Sequence, residues 1–348
     1  MHFNLQLAKL ISISFVIVLF VAILLFSIVY AHVPLQGEGY GIEDAVVINE
    51  PLKSWVIYTE YEDAQPLYYK FDLLANDRLK TGLLTVDKDF IPDLTILGPG
   101  LPDDFEEHFH EEFEIPEGYG LLHIHGEKQA NKMYEPFTPS SYYMVLDLDL
   151  KVNEAGTYFL VVDATTGSGK VGIVLGYIES FTLVEWLKVP FDVAFIHNWE
   201  GQDYLIILLP MIIIVVGGLL INGYFFKLSL DGSQILAFAG SLTYFGSGAI
   251  VLHQMIIALV GSTYNTLLFM TLIFILLPVL LGFSIIRKAT KRDLSIGQEI
   301  RLLLYGLVGL FFWAGYIVGP ILVIISVLVK VIKRKKGNMR RTVEMSPL

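Results

Sequence analysis

The alternation typical of a half-buried β-strand is clearest in YMVLDLDL, residues 143–150. The three leucines of this stretch share one face of an extended chain and the two aspartates share the other. Seven further candidate strands, several of which also alternate, lie around it in residues 54–178, separated by turn residues such as Gly, Asn and Pro. About eight short strands at this spacing predict an antiparallel β-sandwich. The predicted strands are Ser54–Glu60, Leu67–Leu74, Leu79–Val86, Asp93–Gly98, Tyr119–His125, Tyr142–Leu150, Gly156–Asp163 and Lys170–Tyr177.

Composition places this domain on a membrane protein. The 348 residues are 54% hydrophobic and 17% charged, with a mean hydropathy of +0.59. Charge is divided unevenly, because residues 32–203 hold 31 Asp and Glu against 10 Lys and Arg, whereas the rest holds 4 against 14. This asymmetry predicts an acidic extracytoplasmic part and basic cytoplasmic segments. It also excludes nucleic acid as a partner, and the absence of cysteine excludes disulfides, thiolate zinc and iron–sulfur sites.

Four short motifs within residues 54–178 resemble the bacterial pre-peptidase C-terminal type of β-sandwich. They are PLYYKFDL (66–73), DLTILGPG (93–100), EAGTYFLVV (154–162) and GIVLG (172–176). The resemblance implies an accessory, non-catalytic binding module. The chain departs from that family in an acidic, histidine-bearing insertion at about 101–118 and in its attachment to a membrane region. The layout of the whole chain also resembles uncharacterised archaeal membrane proteins, which implies no function.

The domain boundaries follow from hydropathy. Residues 1–31 contain an apolar run of 21 residues and predict either a signal peptide cleaved after Ala31 or a retained N-terminal anchor. Residues 32–180 form the predicted extracytoplasmic sandwich. Residues 181–203 are a predicted interfacial amphipathic linker, in which TLVE (182–185) has the spacing of a helical capping box and Pro190 ends the short helix.

The predicted transmembrane region covers residues 204–332. Three spans are expected at about 204–226, 235–260 and 267–286, followed by a basic cytoplasmic loop. The last apolar stretch, 302–332, is roughly 46 Å long as one helix, more than one crossing needs. It is either a hairpin turning near Gly315–Pro320 or a tilted single helix. The hairpin returns the basic tail, residues 333–348, to the cytoplasm.

Histidine placement is the main indication of a binding site. His123 and His125 lie two residues apart on a predicted strand, so they share a face and are candidate ligands for copper or zinc. Cleavage after Ala31 would add the α-amine and ring of His32, an arrangement that resembles the amino-terminal copper sites of exported copper-binding proteins. The alternative is that these imidazoles occupy a polar sheet face.

Two further features carry weaker functional signals. His108 and His110 lie in an acidic insertion that could hold a metal, calcium included, although a run of charges is more often a solvated face. His253 and Gln254 are the strongly polar pair within a predicted span, where a helix–helix hydrogen bond is expected rather than a cofactor.

These observations predict a membrane-anchored extracytoplasmic binding or interaction protein, an accessory subunit of a membrane assembly without enzyme activity. Its expected partners are the lipid bilayer and either other membrane proteins or further copies of itself. Copper or zinc binding and delivery through the exported histidines is the alternative function. A surface structural or adhesive role is a third, disfavoured because the chain has no N-glycosylation sequon.

Overall fold

Eleven β-strands are present in the residues described by the computed structural model, which are 32–62, 65–102, 115–164, 167–263, 266–291 and 293–344. The chain divides into two compact units, Met1–His32 and Val33–Leu348, and every element below belongs to the second. The strands are β1 (Val33–Leu35), β2 (Val46–Val47), β3 (Trp55–Tyr61), β4 (Leu67–Leu73), β5 (Arg78–Thr85), β6 (Asp93–Gly98), β7 (Gly120–Ile124), β8 (Met133–Glu135), β9 (Ser140–Lys151), β10 (Gly156–Asp163) and β11 (Gly169–Leu175).

The strands form two sheets around one core, and with the helices that follow they confirm the predicted fold class. One sheet has the order β1-β3-β11-β5-β9-β8 and the other the order β2-β4-β10-β6-β7. Side chains from both sheets, such as Ile57 and Leu160, share the buried core. All eight predicted strands are present, and the pairs among them are antiparallel. The short β1 and β2 add parallel pairs that the purely antiparallel prediction missed.

Strand β9 shows the alternation from which the sandwich was predicted. Its two aspartates are exposed and form ion pairs with basic side chains of β5, Asp147 with Lys80 and Asp149 with Arg78. The intervening leucines pack on the core. The register shifts where Leu83 pairs with Leu146 and Leu84 with Met144, so that one extra residue bulges from β9.

Two turns of the sandwich meet at Tyr158. Its hydroxyl donates to the carbonyl oxygens of Glu154 at 2.8 Å and Pro99 at 2.9 Å, and its ring is fully buried. The ring lies against the backbone of Gly98, where an added Cβ would come within 2.2 Å of a ring carbon. Glycine at 98 is therefore required by the close approach of this ring.

Six helices follow the strands in the described residues. They are α1 (Leu183–Trp199), α2 (Tyr204–Ile221, continued by a π-helical turn Asn222–Phe226), α3 (Gly232–Gly261), α4 (Leu268–Ala289), α5 (Ile296–Phe311) and α6 (Val318–Glu344). Three of these segments, Tyr204–Phe226, Gly232–Gly261 and Leu268–Ala289, are long and apolar enough to cross a bilayer. The protein is thus a membrane protein. Small residues in α3 let neighbouring helices approach, as at Gly248, where a Cβ would meet Val279.

Helix α1 begins at the predicted capping box but does not end at Pro190. Thr182 and Glu185 exchange side-chain to backbone hydrogen bonds, and the helix continues through Pro190 to Trp199. A proline inside a helix leaves the carbonyl four residues earlier without its usual N–H donor. Here that carbonyl belongs to Trp186, and the indole Nε1–H of Trp313 supplies the missing donor at 2.6 Å. This tertiary hydrogen bond explains why the predicted helix stop was wrong.

Both ends of α1 bind the sandwich at or beside β3. Near the first turn, Glu185 accepts a hydrogen bond at 2.6 Å from Lys53, which precedes β3. At the last turn, the indole of Trp199 donates to the carbonyl of Thr59 at 2.8 Å. Together with the Trp313 contact, these bonds attach the sandwich to the helical region.

The apolar stretch 302–332 is divided between two helices rather than forming one. Positive φ angles at Trp313, Gly315, Tyr316 and Ile317 reverse the chain between α5 and α6. Arg334, late in α6, forms an ion pair with Glu299, in the first turn of α5. This pairing requires the two helices to run antiparallel, which is the hairpin geometry.

Candidate metal site

Strands β6 and β7 position two histidines and a carboxylate on the same face of one sheet. The strands pair antiparallel with Thr95 opposite His123 and Leu94 opposite Ile124. This register places Asp93 across from His125. Side chains two residues apart on a strand share a face, so Asp93, His123 and His125 converge. One ligand atom from each lies within 4.8 Å of those from the other two.

Two of the distances between ligand atoms suit a single metal ion. His123 Nε2 lies 3.3 Å from His125 Nδ1, which lies 3.4 Å from Oδ2 of Asp93. Nitrogen and oxygen ligands bound to zinc at about 2.0–2.2 Å in a tetrahedron are about 3.3–3.6 Å apart. His125 therefore stands from each of the other two groups at the spacing of neighbouring corners of a zinc coordination shell.

Neighbouring groups fix the orientation of two of the three candidate ligands, His123 and Asp93. The Nδ1 of His123 is hydrogen-bonded to the buried Thr95 hydroxyl at 2.8 Å, which directs the opposite nitrogen, Nε2, toward His125. The backbone N–H of Gly126 donates to Oδ1 of Asp93 at 2.7 Å, which leaves Oδ2 available to bind a metal ion. Such partners fix the ring tautomer and the ligand direction in metal sites.

The three side chains differ in their access to solvent. The side chain of Asp93 is 13% exposed, whereas that of His125 is 80% exposed. Three protein ligands leave a fourth tetrahedral position open, and the exposed edge gives an ion and its exchange partners access to it. An ion held by these three groups would therefore be exchangeable, unlike one in a closed structural site.

Of the predicted metal ligands, two are placed side by side in the described residues. His123 and His125 are joined, whereas His32 belongs to the other compact unit. His108 and His110 lie outside the described residues, as does most of the acidic insertion. Sequence reasoning missed Asp93. Its position at the start of a predicted strand was a signal, but only the pairing of β6 with β7 places it beside His125.

The two polar residues predicted within a span, His253 and Gln254, have different surroundings. The side-chain amides of Gln254 and Gln202 exchange two hydrogen bonds of 2.9 Å. Gln202 lies between α1 and α2, so this pair links α3 to a connecting segment and not to another span. Nδ1 of His253 is buried without a hydrogen-bond partner among the described residues.

Neither a protein family nor a curated protein matches this sequence.

Proposed function

We propose that this membrane protein is a binding protein whose β-sandwich holds a zinc or copper ion through Asp93, His123 and His125. The convergence of these three ligand atoms within 4.8 Å carries the proposal. Two imidazoles and one carboxylate suit zinc and copper(II), whereas calcium prefers an all-oxygen shell of six to eight ligands. Calcium is therefore disfavoured at this site.

The open coordination position favours a site that captures and transfers a metal ion over one in which the ion only stabilises the fold. A bound ion would keep one or more water ligands, which an acceptor protein can replace. The acidic sandwich, with its excess of Asp and Glu, attracts cations toward its surface. The helices would hold this domain at the membrane, and delivery to a neighbouring membrane component is the proposed use.

The proposed orientation follows from charge. The last turn of α4 contains Lys288, the segment that follows it contains Lys291, and the chain after residue 332 is rich in Lys and Arg. By the positive-inside rule all three would face the cytoplasm, with residues 32–203 on the other side. Because the chain has no native cysteine, single introduced cysteines can report the sidedness of each segment with a membrane-impermeant thiol reagent.

Metal content of the purified full-length protein tests the proposal. Dialysis against zinc or copper(II), followed by elemental analysis, should give one ion per chain for the native protein. His123→Ala, His125→Ala and Asp93→Asn should each lower the affinity. Asp149→Asn, which removes an exposed carboxylate of the other sheet, is the matched control and should bind as the native protein does. Unchanged binding by a variant with all three ligands replaced would overturn the proposal.

Two further measurements define the ligand set. Mass spectrometry of the N-terminus shows whether the mature chain begins at His32, the condition for its α-amine to act as a ligand. A variant in which His108 and His110 are both alanine tests the acidic insertion separately. Full retention of the bound ion in that variant would restrict the site to β6 and β7.

A role as an accessory subunit is a second candidate, and it is favoured by the surface of α2. Ile207 is the single buried residue of this helix among the described residues, and the face of α2 that does not pack on α3 is open to lipid or to another protein. Solubilisation in mild detergent, followed by measurement of the mass of the particle, distinguishes a subunit of an assembly from a protein that acts alone. A stoichiometric membrane-protein partner or a second copy would support this role, whereas a monomer surrounded by lipid would contradict it.

A further inference from the structure

A separate cavity of about 80 Å³ lies where the sandwich meets the helices. Its wall is formed by α1, α3 and α4 together with the β8–β9 connection and the turn between α5 and α6. Aromatic, proline and aliphatic side chains provide most of the lining, among them Phe137, Pro190 and Phe274. The cavity is several times larger than the roughly 10–15 Å³ that one water needs.

The wall includes the indole of Trp313, the phenol of Tyr316 and three further polar side chains, and two of those three are hydrogen-bonded within the chain. Gln254 is paired with Gln202 through both amide groups, and the Ser247 hydroxyl donates to the carbonyl of Tyr244 at 3.0 Å. His197 is the exception. Its side chain is 1% exposed, and its Nε2 has no hydrogen-bond partner in the described part of the chain.

The neighbours of His197 define which hydrogen bond is missing. Nδ1 lies 2.9 Å from Oε2 of Glu200, whose other oxygen accepts from the Ser140 hydroxyl. An ionised carboxylate only accepts hydrogen bonds, so Nδ1 of a neutral imidazole carries the proton and Nε2 is left as an acceptor. A buried acceptor without a donor is unfavourable, and a bound donor would relieve this cost.

We propose that this cavity binds the hydroxyl-bearing end of an apolar molecule. The hydroxyl donates to Nε2 of His197, and the apolar chain lies among the aromatic and proline side chains. An ammonium group also donates, but placing its charge in this apolar wall is strongly unfavourable. A hydroxylated membrane lipid and a free aliphatic alcohol share the required chemistry.

Photolabelling of the full-length protein with a diazirine-bearing octanol tests the proposal. Mass spectrometry should locate the label on cavity residues such as Phe137 and Phe274. Excess n-hexanol should reduce this labelling, whereas n-hexane should not. Equal competition by n-hexane, or no label in the cavity, would overturn the proposal.

Substitutions separate the hydrogen bond from the cavity itself. His197→Leu should lower cavity labelling at least fivefold, and His253→Leu, which removes another histidine with an unpaired buried nitrogen, is the matched control and should label as the native protein does. If His197→Leu does not fold, Val193→Phe fills the cavity and should also lose the label. Labelling unchanged in a folded His197→Leu protein would contradict the role of Nε2.

Solvent extraction of the protein purified from membranes distinguishes the two sources. A hydroxylated lipid recovered from the native protein and from His253→Leu, but not from His197→Leu, assigns the site to lipid. Labelling by the alcohol without any such lipid assigns it to a free alcohol. Because His197 and the metal ligands lie in different elements, loss of metal binding would leave this result unaffected.

Discussion

The indole Nε1–H of Trp313 donates to the backbone carbonyl of Trp186, the carbonyl that Pro190 deprives of its helical donor. The two indole rings also lie 4.2 Å apart. One hydrogen bond thus compensates a proline inside α1 and ties that helix to the turn between α5 and α6. The attachment of the sandwich to the helical region depends on this turn as well as on contacts with the strands.

Replacing Trp313 with Phe should destabilise the protein by about 1–3 kcal/mol, because the Trp186 carbonyl loses its donor while an aromatic ring is retained. Thermal unfolding in detergent measures the change. Pro190→Ala restores the backbone donor, so Trp313→Phe should have a smaller effect in that background. Equal effects in the two backgrounds would show that the hydrogen bond does not compensate the proline.

Adding a methyl group at Gly98 should destabilise the sandwich by about 1–3 kcal/mol or more, because the new Cβ would overlap the buried ring of Tyr158. Gly98→Ala should therefore lower the unfolding temperature. Gly297→Ala is the matched control, since nothing lies within 4 Å of a Cβ there. Comparable unfolding temperatures for the two variants would contradict the packing described at Tyr158.

The partly buried carboxyl of Glu135 should make stability depend on pH. Burial raises its pKa from 4.5 to about 7, although the Phe137 N–H donates to it. Its stabilising contribution is complete below pH 4.5. The contribution declines above that pH because the unfolded chain releases the proton while the folded chain keeps it. It is lost as the pH passes about 7.

Glu135→Gln should remove that decline. The variant should match the native protein near pH 4.5 and exceed its stability at pH 8 by an amount on the order of 1–3 kcal/mol. Exposed Glu117→Gln is the control. Parallel pH profiles for the native protein and Glu135→Gln, measured by thermal unfolding, would refute the assignment.

The antiparallel α5–α6 hairpin depends on the ion pair between Glu299 and Arg334. Glu299 is 5% exposed, so Arg334→Met would leave a buried carboxylate unpaired and should destabilise the protein by about 1–3 kcal/mol. Lys333→Met removes the adjacent, exposed charge and should have little effect. If both variants unfold at the same temperature, this ion pair does not stabilise the hairpin.

Local patterns predicted the elements better than the contacts between them. Alternation in several strands, and the turn residues between all of them, identified the eight long strands, whereas β1, β2 and β8 have only two or three residues and no readable period. The capping box at Thr182 is local and was correct. Pro190 was misinterpreted because its compensation comes from Trp313, 127 residues from Trp186.

The residues of the candidate metal site also differ in whether the local sequence predicts them. His123 and His125 were predictable because their spacing alone places them on one face. Asp93 and Thr95 join them through the register of β6 and β7, which the sequence of either strand does not specify. The cavity at His197 draws on five separate segments and had no sequence signal.

The most direct test of the proposed metal site is X-ray absorption spectroscopy on the zinc-loaded full-length protein. The proposal predicts a shell of about four nitrogen and oxygen ligands near 2.0–2.1 Å, with the outer-shell scattering of two imidazoles, and the loss of one imidazole in His123→Ala. An all-oxygen shell without imidazole scattering, identical in the native protein and in His123→Ala, would contradict it.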